Sequence, residues 1–150
     1  MKSEDDLFLP ASYYKDGKLW NDINVSQKQL TAFNNIINLC EEKNIKVVLF
    51  SPPYPNKITK DNIQDFINYD NYVKAITENL NIPYLDFSKI KKEHIELTKE
   101  YFYNSNHNNG VGANKLAPIY SEIYRDIINE TFNENNWFYL TFNEMAQDYN

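Results

Sequence analysis

The chain is 150 residues long, enough for one ordinary domain around one core and too short for two. Hydrophobic residues at 42% and aromatics at 15% carry too much buriable surface for a disordered chain, and 15 basic against 21 acidic residues, a formal charge of −6, offer no cationic surface to nucleic acid or an anionic membrane. A single cysteine, Cys40, excludes an internal disulfide and a Cys-rich zinc site, while only three glycines, Gly17, Gly110 and Gly112, exclude the GxGxxG and P-loop phosphate cradles.

Residues 1–25 show no sustained period and read as an irregular lead-in with a turn around Tyr13 to Trp20; the segment MKSEDDLFLP has no apolar run of signal-peptide length, so the chain as written is expected to stay in the cytoplasm. No stretch is long enough to span a membrane. At Ser26 the pattern changes. Ser26 with Gln29 makes a capping box, and Leu30, Phe33, Ile37 and Cys40, thickened by Ile36, mark one face of a helix over about 27–43 that Asn44 ends. Ile45 to Phe50 is a short, continuous β-branched run that predicts a buried parallel strand, stopped by three prolines in Ser51-Pro52-Pro53-Tyr54-Pro55, which predict a loop. From Asp61 a second helical pattern runs through Ile63, Phe66, Ile67, Ile76 and Leu80, with a possible division at 68–71; Ile82 to Phe87 predicts a second strand.

Ile90 to Leu97 reads as a short charged helix, followed by the polar turn at 104–109. The last long helix is expected over about 110–132, its inward stripe being Val111, Leu116, Ile119, Tyr120, Ile123, Ile127 and Thr131, with Pro118 kinking or splitting it. The aromatic tail over 136–150 fits an edge strand or a short helix. The alternation of helix and strand over 26–135 predicts a single α/β domain with a small, mostly parallel sheet.

Two histidines limit the search for a general base. His94 lies in a charged segment; His107 lies in a loop before a helix, where a base can be held in a fixed orientation. Reading on from His107 gives His-x-Asn-x-x-Gly-Ala, with Asn109 placed to cap the helix, Gly112 to permit close backbone approach, and Ala113 beside it. No metal box is present, since His94 and Glu93 lack a third ligand, and no cofactor motif occurs. Paired acids such as Glu41-Glu42 read as solvated faces.

The segment from Asn104 to Ala113 resembles the last block, Asp-x-x-His-x-Asn-x-x-Gly-Ala, of the SGNH (GDSL-type) hydrolases, in particular their cell-surface acyltransferase and esterase branch. Lys46 to Tyr54 resembles the family's penultimate strand with its Pro-Pro-Tyr exit, and Pro83 to Ser88 its last strand, so that the likeness covers about residues 12 to 130. It implies part of a three-layer α/β/α sandwich of the flavodoxin-like kind, ester chemistry by a serine nucleophile, and His107 as its base. Two departures stand out. Asn104 occupies the position of the family's Asp, and in serine proteases loss of the analogous carboxylate costs about 10⁴-fold in turnover; Asp86, at the end of the second strand, is the alternative partner for the imidazole. There is also no Gly-Asp-Ser or Gly-x-Ser-x-Gly. Ser51 ends a strand but is followed by Pro52 and Pro53, which lack oxyanion-hole amides, and Ser105 is too close to His107 in sequence for attack geometry. The expectation is a truncated or degenerate SGNH-like domain without a nucleophile, inactive alone, with a non-catalytic interaction module or one part of a split acyl hydrolase as alternatives. Its open sheet edge predicts a homo-oligomer or a second chain supplying the missing strands.

Overall fold

A computed structural model describes residues 26–149, so the lead-in over 1–25 lies outside the described residues. Helix α1 spans Gln27–Glu42 and begins with the capping box expected at Ser26 and Gln29. It ends as the sequence implies: Asn44 takes a positive φ of 53°, and the Ile45 amide donates back to the Cys40 carbonyl at 2.8 Å. Ile37 is its buried residue, whereas Ile36 is 60% exposed and does not thicken the inward stripe.

The first strand, β1, is Leu49–Ser51, and it pairs in parallel with β2, Tyr84–Asp86, in the register Leu49 to Tyr84, Phe50 to Leu85 and Ser51 to Asp86. Both are shorter than the expected runs. Phe50 is 48% exposed, so β1 is not the fully buried strand its continuous apolar run suggests; two strands cannot cover one another as an inner strand is covered.

Between the strands, the loop expected after the prolines closes into a one-and-a-half-turn helix, α2 (Asn56–Asp61), and Asn62 separates it from α3 (Ile63–Asn79). The division expected at 68–71 is absent: α3 runs through it because Phe66, Asp70 and Thr77 share its buried face at helical spacing. After α3, Asn81 repeats the device used at Asn44, with φ 53° and the Ile82 amide bonded to the Thr77 carbonyl at 3.0 Å.

The two sheet faces differ in chemistry. Successive side chains of a strand alternate, so Phe50 and Leu85 project to one side, and Ser51, Tyr84 and Asp86 to the other. The apolar face meets α4 (Gly110–Ile128): Leu85 clusters with Leu116 and Ile123, and Phe50 and Phe87 approach the Tyr120 ring at centroid distances of 6.1 and 4.4 Å. The polar face meets α3 through Asp70, which the short 3₁₀ turn Phe87–Lys89 reaches by way of Lys89.

The later part of the chain departs from expectation in several places. Residues 90–97 form no helix; Ile90, Ile95 and Leu97 enter the core from an irregular path, and Ile90 pairs with Phe138 in an isolated antiparallel bridge. Pro118 lies inside α4, which continues past it as one helix. Helix α4 stops at Ile128, short of 132, and Val111 is 56% exposed, off the inward stripe that Leu116 and Ile123 define. Of the two forms considered for the tail, the short helix is the one found: the one-turn α5 (Glu134–Trp137) is followed by α6 (Phe142–Asp148), and Phe138 adds only an isolated bridge to Ile90, not an edge strand. Phe138 belongs to the cluster under α4, and Phe142 and Met145 pack with Phe66 of α3, so the tail closes the core. No helix among the described residues is long and apolar enough to cross a membrane.

Candidate functional site

The loop before α4 is built around one side-chain oxygen. Asn104 Oδ1 accepts the backbone amides of Asn106 at 3.1 Å and His107 at 3.0 Å, and stands 2.8 Å from His107 Nδ1. Since two backbone N–H groups point at this atom, it is the oxygen of the amide and not its nitrogen, and the ring nitrogen facing it must then carry the proton. The imidazole is thereby fixed as the Nδ1–H tautomer, with the lone pair on Nε2 turned away from Asn104. His107 is exposed, and no described hydroxyl bonds to its ring.

The backbone around His107 is held independently of Asn104. The Tyr103 amide donates to the His107 carbonyl at 2.7 Å, and Phe102 and Asn108 form an antiparallel bridge. Asn109 then ties the loop to the helix in three directions. Its Nδ2 donates to the Glu100 carbonyl at 2.8 Å, its amide donates to the Tyr101 carbonyl at 3.0 Å, and its Oδ1 accepts the amides of Val111 and Gly112, both at 2.9 Å, which caps α4. Gly112 sits where the first turn of α4 touches this loop: a Cβ there would lie 2.0 Å from the Tyr101 carbonyl oxygen. Ala113, next to it, is exposed, and its amide makes the first helical bond to the Asn109 carbonyl at 2.8 Å. The spacing His-x-Asn-x-x-Gly thus has a physical content: a base, a cap and a close approach.

Asp86 does not join this site. It lies on the polar face of the sheet, 3% exposed, where Oδ1 accepts the Ser88 amide at 2.9 Å and Oδ2 accepts from the Tyr84 hydroxyl at 3.4 Å. The Tyr84 hydroxyl is also 2.7 Å from Ser51 Oγ, so the strand ends carry a chain of Ser51, Tyr84 and Asp86. Burial pushes the Asp86 carboxyl up to about 6, against the opposing pull of the Ser88 amide and the Lys89 ammonium. Burial likewise drives the Tyr84 phenol far above its ordinary value, so the hydroxyl keeps its proton and can donate to Asp86 while accepting from Ser51. Lys89 is 1% exposed and reaches Asp70 at 3.2 Å; Lys74 joins the same carboxylate at 2.9 Å from the rim, and burial lowers the Lys89 ammonium.

Of these residues, only Ser51 and Asp86 attract attention in the sequence, and each for a role the structure does not give it. Asp70 had a legible signal: it occupies the i+4 position from Phe66 on a face that continues at Thr77, and a charged residue in an inward register needs a partner. Lys89 had none, since a lysine beside Lys91 and Lys92 reads as surface. His94 has a packing role, stacked on Trp137 at 4.5 Å with Nε2 2.8 Å from the Asn136 carbonyl oxygen. An open groove of about 580 Å³ lined by Lys91, Glu93, Tyr139, Glu144, Gln147 and Asp148 shares no residue with the His107 loop. Among the described residues no group of three or more His, Cys, Asp or Glu side chains is arranged to hold a metal ion.

Comparison of the chain with protein-family models, with curated proteins and with solved structures finds no match.

Proposed function

We propose that this chain carries the base-bearing portion of an SGNH-type ester hydrolase or acyltransferase domain and has no ester chemistry by itself. The reading is supported by one observation above all: an exposed imidazole whose Nδ1–H is anchored on Asn104 and whose Nε2 lone pair is free, in a loop tied to α4 by Asn109 and Gly112. That is the arrangement a general base for a serine requires. The polar strand ends form a separate centre, and Asn104 brings no charge to stabilise an imidazolium. Helix α3 on the polar face of the sheet and α4 on the apolar face are what part of a three-layer α/β/α sandwich would present, with further strands supplied by another polypeptide.

The purified chain is expected to show no serine labelled by a fluorophosphonate probe, and mixing it with a polypeptide that supplies a strand ending in a Gly-Asp-Ser turn is expected to produce ester hydrolysis that His107→Ala abolishes. A labelled serine in the isolated chain, Ser51 being the first to check, contradicts the proposal, as does hydrolysis that survives His107→Ala. A second reading, a non-catalytic interaction module, draws on the exposed Ile36, Leu39, Ile45 and Phe50, and it predicts a co-purifying partner whose binding His107→Ala leaves intact.

A further inference from the structure

Asn109–Gly110 is the one Asn-Gly step in the chain, and an asparagine in that setting carries its own reaction partner. The backbone nitrogen of the next residue can attack the side-chain carbonyl carbon, and Gly110, having no Cβ, leaves that nitrogen unshielded. The surroundings add no shield either, since a Cβ at 110 would meet no atom within 4 Å. The target carbon is already polarised: the Val111 and Gly112 amides both donate to Asn109 Oδ1 at 2.9 Å, which is where negative charge would develop on attack.

The folded loop nevertheless keeps the two reacting atoms apart. Closing a five-membered ring requires the Asn109 Cβ and the Gly110 nitrogen to eclipse one another about the Cα–C bond. At the observed ψ of −179° they are staggered, and a rotation of about 60° separates the two arrangements. That rotation swings α4 against the loop and takes its ties apart. Oδ1 leaves the Val111 and Gly112 amides, Nδ2 leaves the Glu100 carbonyl at 2.8 Å, and the Asn109 carbonyl leaves the Ala113 amide at 2.8 Å. Gly112, close against the Tyr101 carbonyl, leaves no slack for a partial turn.

We propose that Asn109 is a self-modification site, a deamidation centre that the folded loop holds shut and that reacts when the loop releases the start of α4. The Gly110 nitrogen bonds to Asn109 Cγ, the Cγ–Nδ2 bond breaks, and Nδ2 departs as ammonia with the Gly110 amide proton, leaving a cyclic imide. Water then opens the imide. Cleavage at Cγ gives aspartate, and cleavage at the main-chain carbonyl gives isoaspartate, with one more methylene in the backbone. Either product loses the Nδ2–H donor to Glu100, and so cuts a tie between α4 and the 3₁₀ turn Lys99–Tyr101; isoaspartate also displaces the cap. The chemical state of residue 109 therefore records how often this loop has opened, independently of any ester chemistry.

Incubation of the full 150-residue chain at neutral pH, with peptide mapping by mass spectrometry for aspartate and isoaspartate at 109, tests it. Because the reaction is slow beside loop closing, its rate follows the open population, and the folded parent is expected to react at least roughly a hundredfold more slowly than the same chain in urea. Gly110→Ala suppresses the reaction in urea, where no fold contributes. Gly112→Ala, which forces the loop and α4 apart, raises the folded-state rate by about tenfold or more. Asp86→Asn distinguishes local from global opening: it removes a buried carboxylate from the sheet face opposite α4 and is expected to leave the folded-state rate at 109 unchanged. Equal rates in buffer and in urea, an undiminished rate in Gly110→Ala, a folded-state rate indifferent to Gly112→Ala, or slowing by Asp86→Asn would each overturn the proposal.

Discussion

Replacing Gly112 by alanine inserts one methyl where the loop carrying His107 touches α4. The new Cβ would sit 2.0 Å from the Tyr101 carbonyl oxygen and 2.9 Å from both the carbonyl carbon and the Cβ of the same residue. Two of these three atoms are backbone, and that backbone is fixed by the Asn109 amide bonding to the same oxygen at 3.0 Å, so no side-chain rotation relieves the overlap. Either the 3₁₀ turn Lys99–Tyr101 or the first turn of α4 must move, and overpacking of this kind costs about 1–3 kcal/mol. For a chain of this size that lowers Tm by roughly 3–10 °C. Gly110→Ala is the internal control: nothing lies within 4 Å of a Cβ there, so the same methyl two residues earlier in the same helix is expected to be neutral or to stabilise by up to about 1 kcal/mol. Urea denaturation of the two variants beside the parent measures both. Equal effects at the two positions would refute the claim that Gly112 is required by close approach rather than by chain flexibility.

The pH dependence of stability follows from Asp86. Its carboxyl titrates near 6 in the folded state and at an ordinary aspartate value when unfolded, so the native state holds this proton more tightly, and the stabilisation present below about pH 4 is lost as pH rises through 6. Asp86→Asn is expected to be increasingly more stable than the parent from pH 4 to 6.5, by about 2–3 kcal/mol at the plateau, as read from urea curves; a difference that is flat across this range contradicts the assignment. Lys89→Met leaves Asp70 buried, with only Lys74 at the rim to pair it, and is expected to cost about 3–5 kcal/mol, whereas the double variant Asp70→Leu, Lys89→Met recovers most of that loss. Asn104→Ala removes the oxygen that receives two backbone amides and the imidazole, and should lower stability by about 1–3 kcal/mol while Asn104→Asp retains it, both measured by thermal melts.

The parts of the fold legible in the sequence are those whose signals are local. The start of α1 was written in Ser26 and Gln29, its end in Asn44, and the cap of α4 in Asn109, because capping is decided within three or four residues. The His107 loop was legible for the same reason. Where the outcome depended on distant partners, the sequence misled. Ile90 to Leu97 has a helical charge pattern, but Lys91 and Tyr139 exchange backbone bonds with Trp137 and Lys89, and pairing with a segment nearly fifty residues away overrides the local preference. In the polar layer of Asp70, Tyr84, Asp86 and Lys89, the inward register of Asp70 is legible, but Lys89 resembles a surface residue until the end of β2 and α3 are brought together.

Asn104 holds His107 with its proton on Nδ1 and its lone pair on Nε2. Long-range ¹⁵N–¹H correlation of the neutral imidazole tests it most directly. The parent chain is expected to show a single dominant Nδ1–H tautomer that Asn104→Ala converts to a mixture or to Nε2–H; an Nε2–H ring in the parent chain would overturn this assignment.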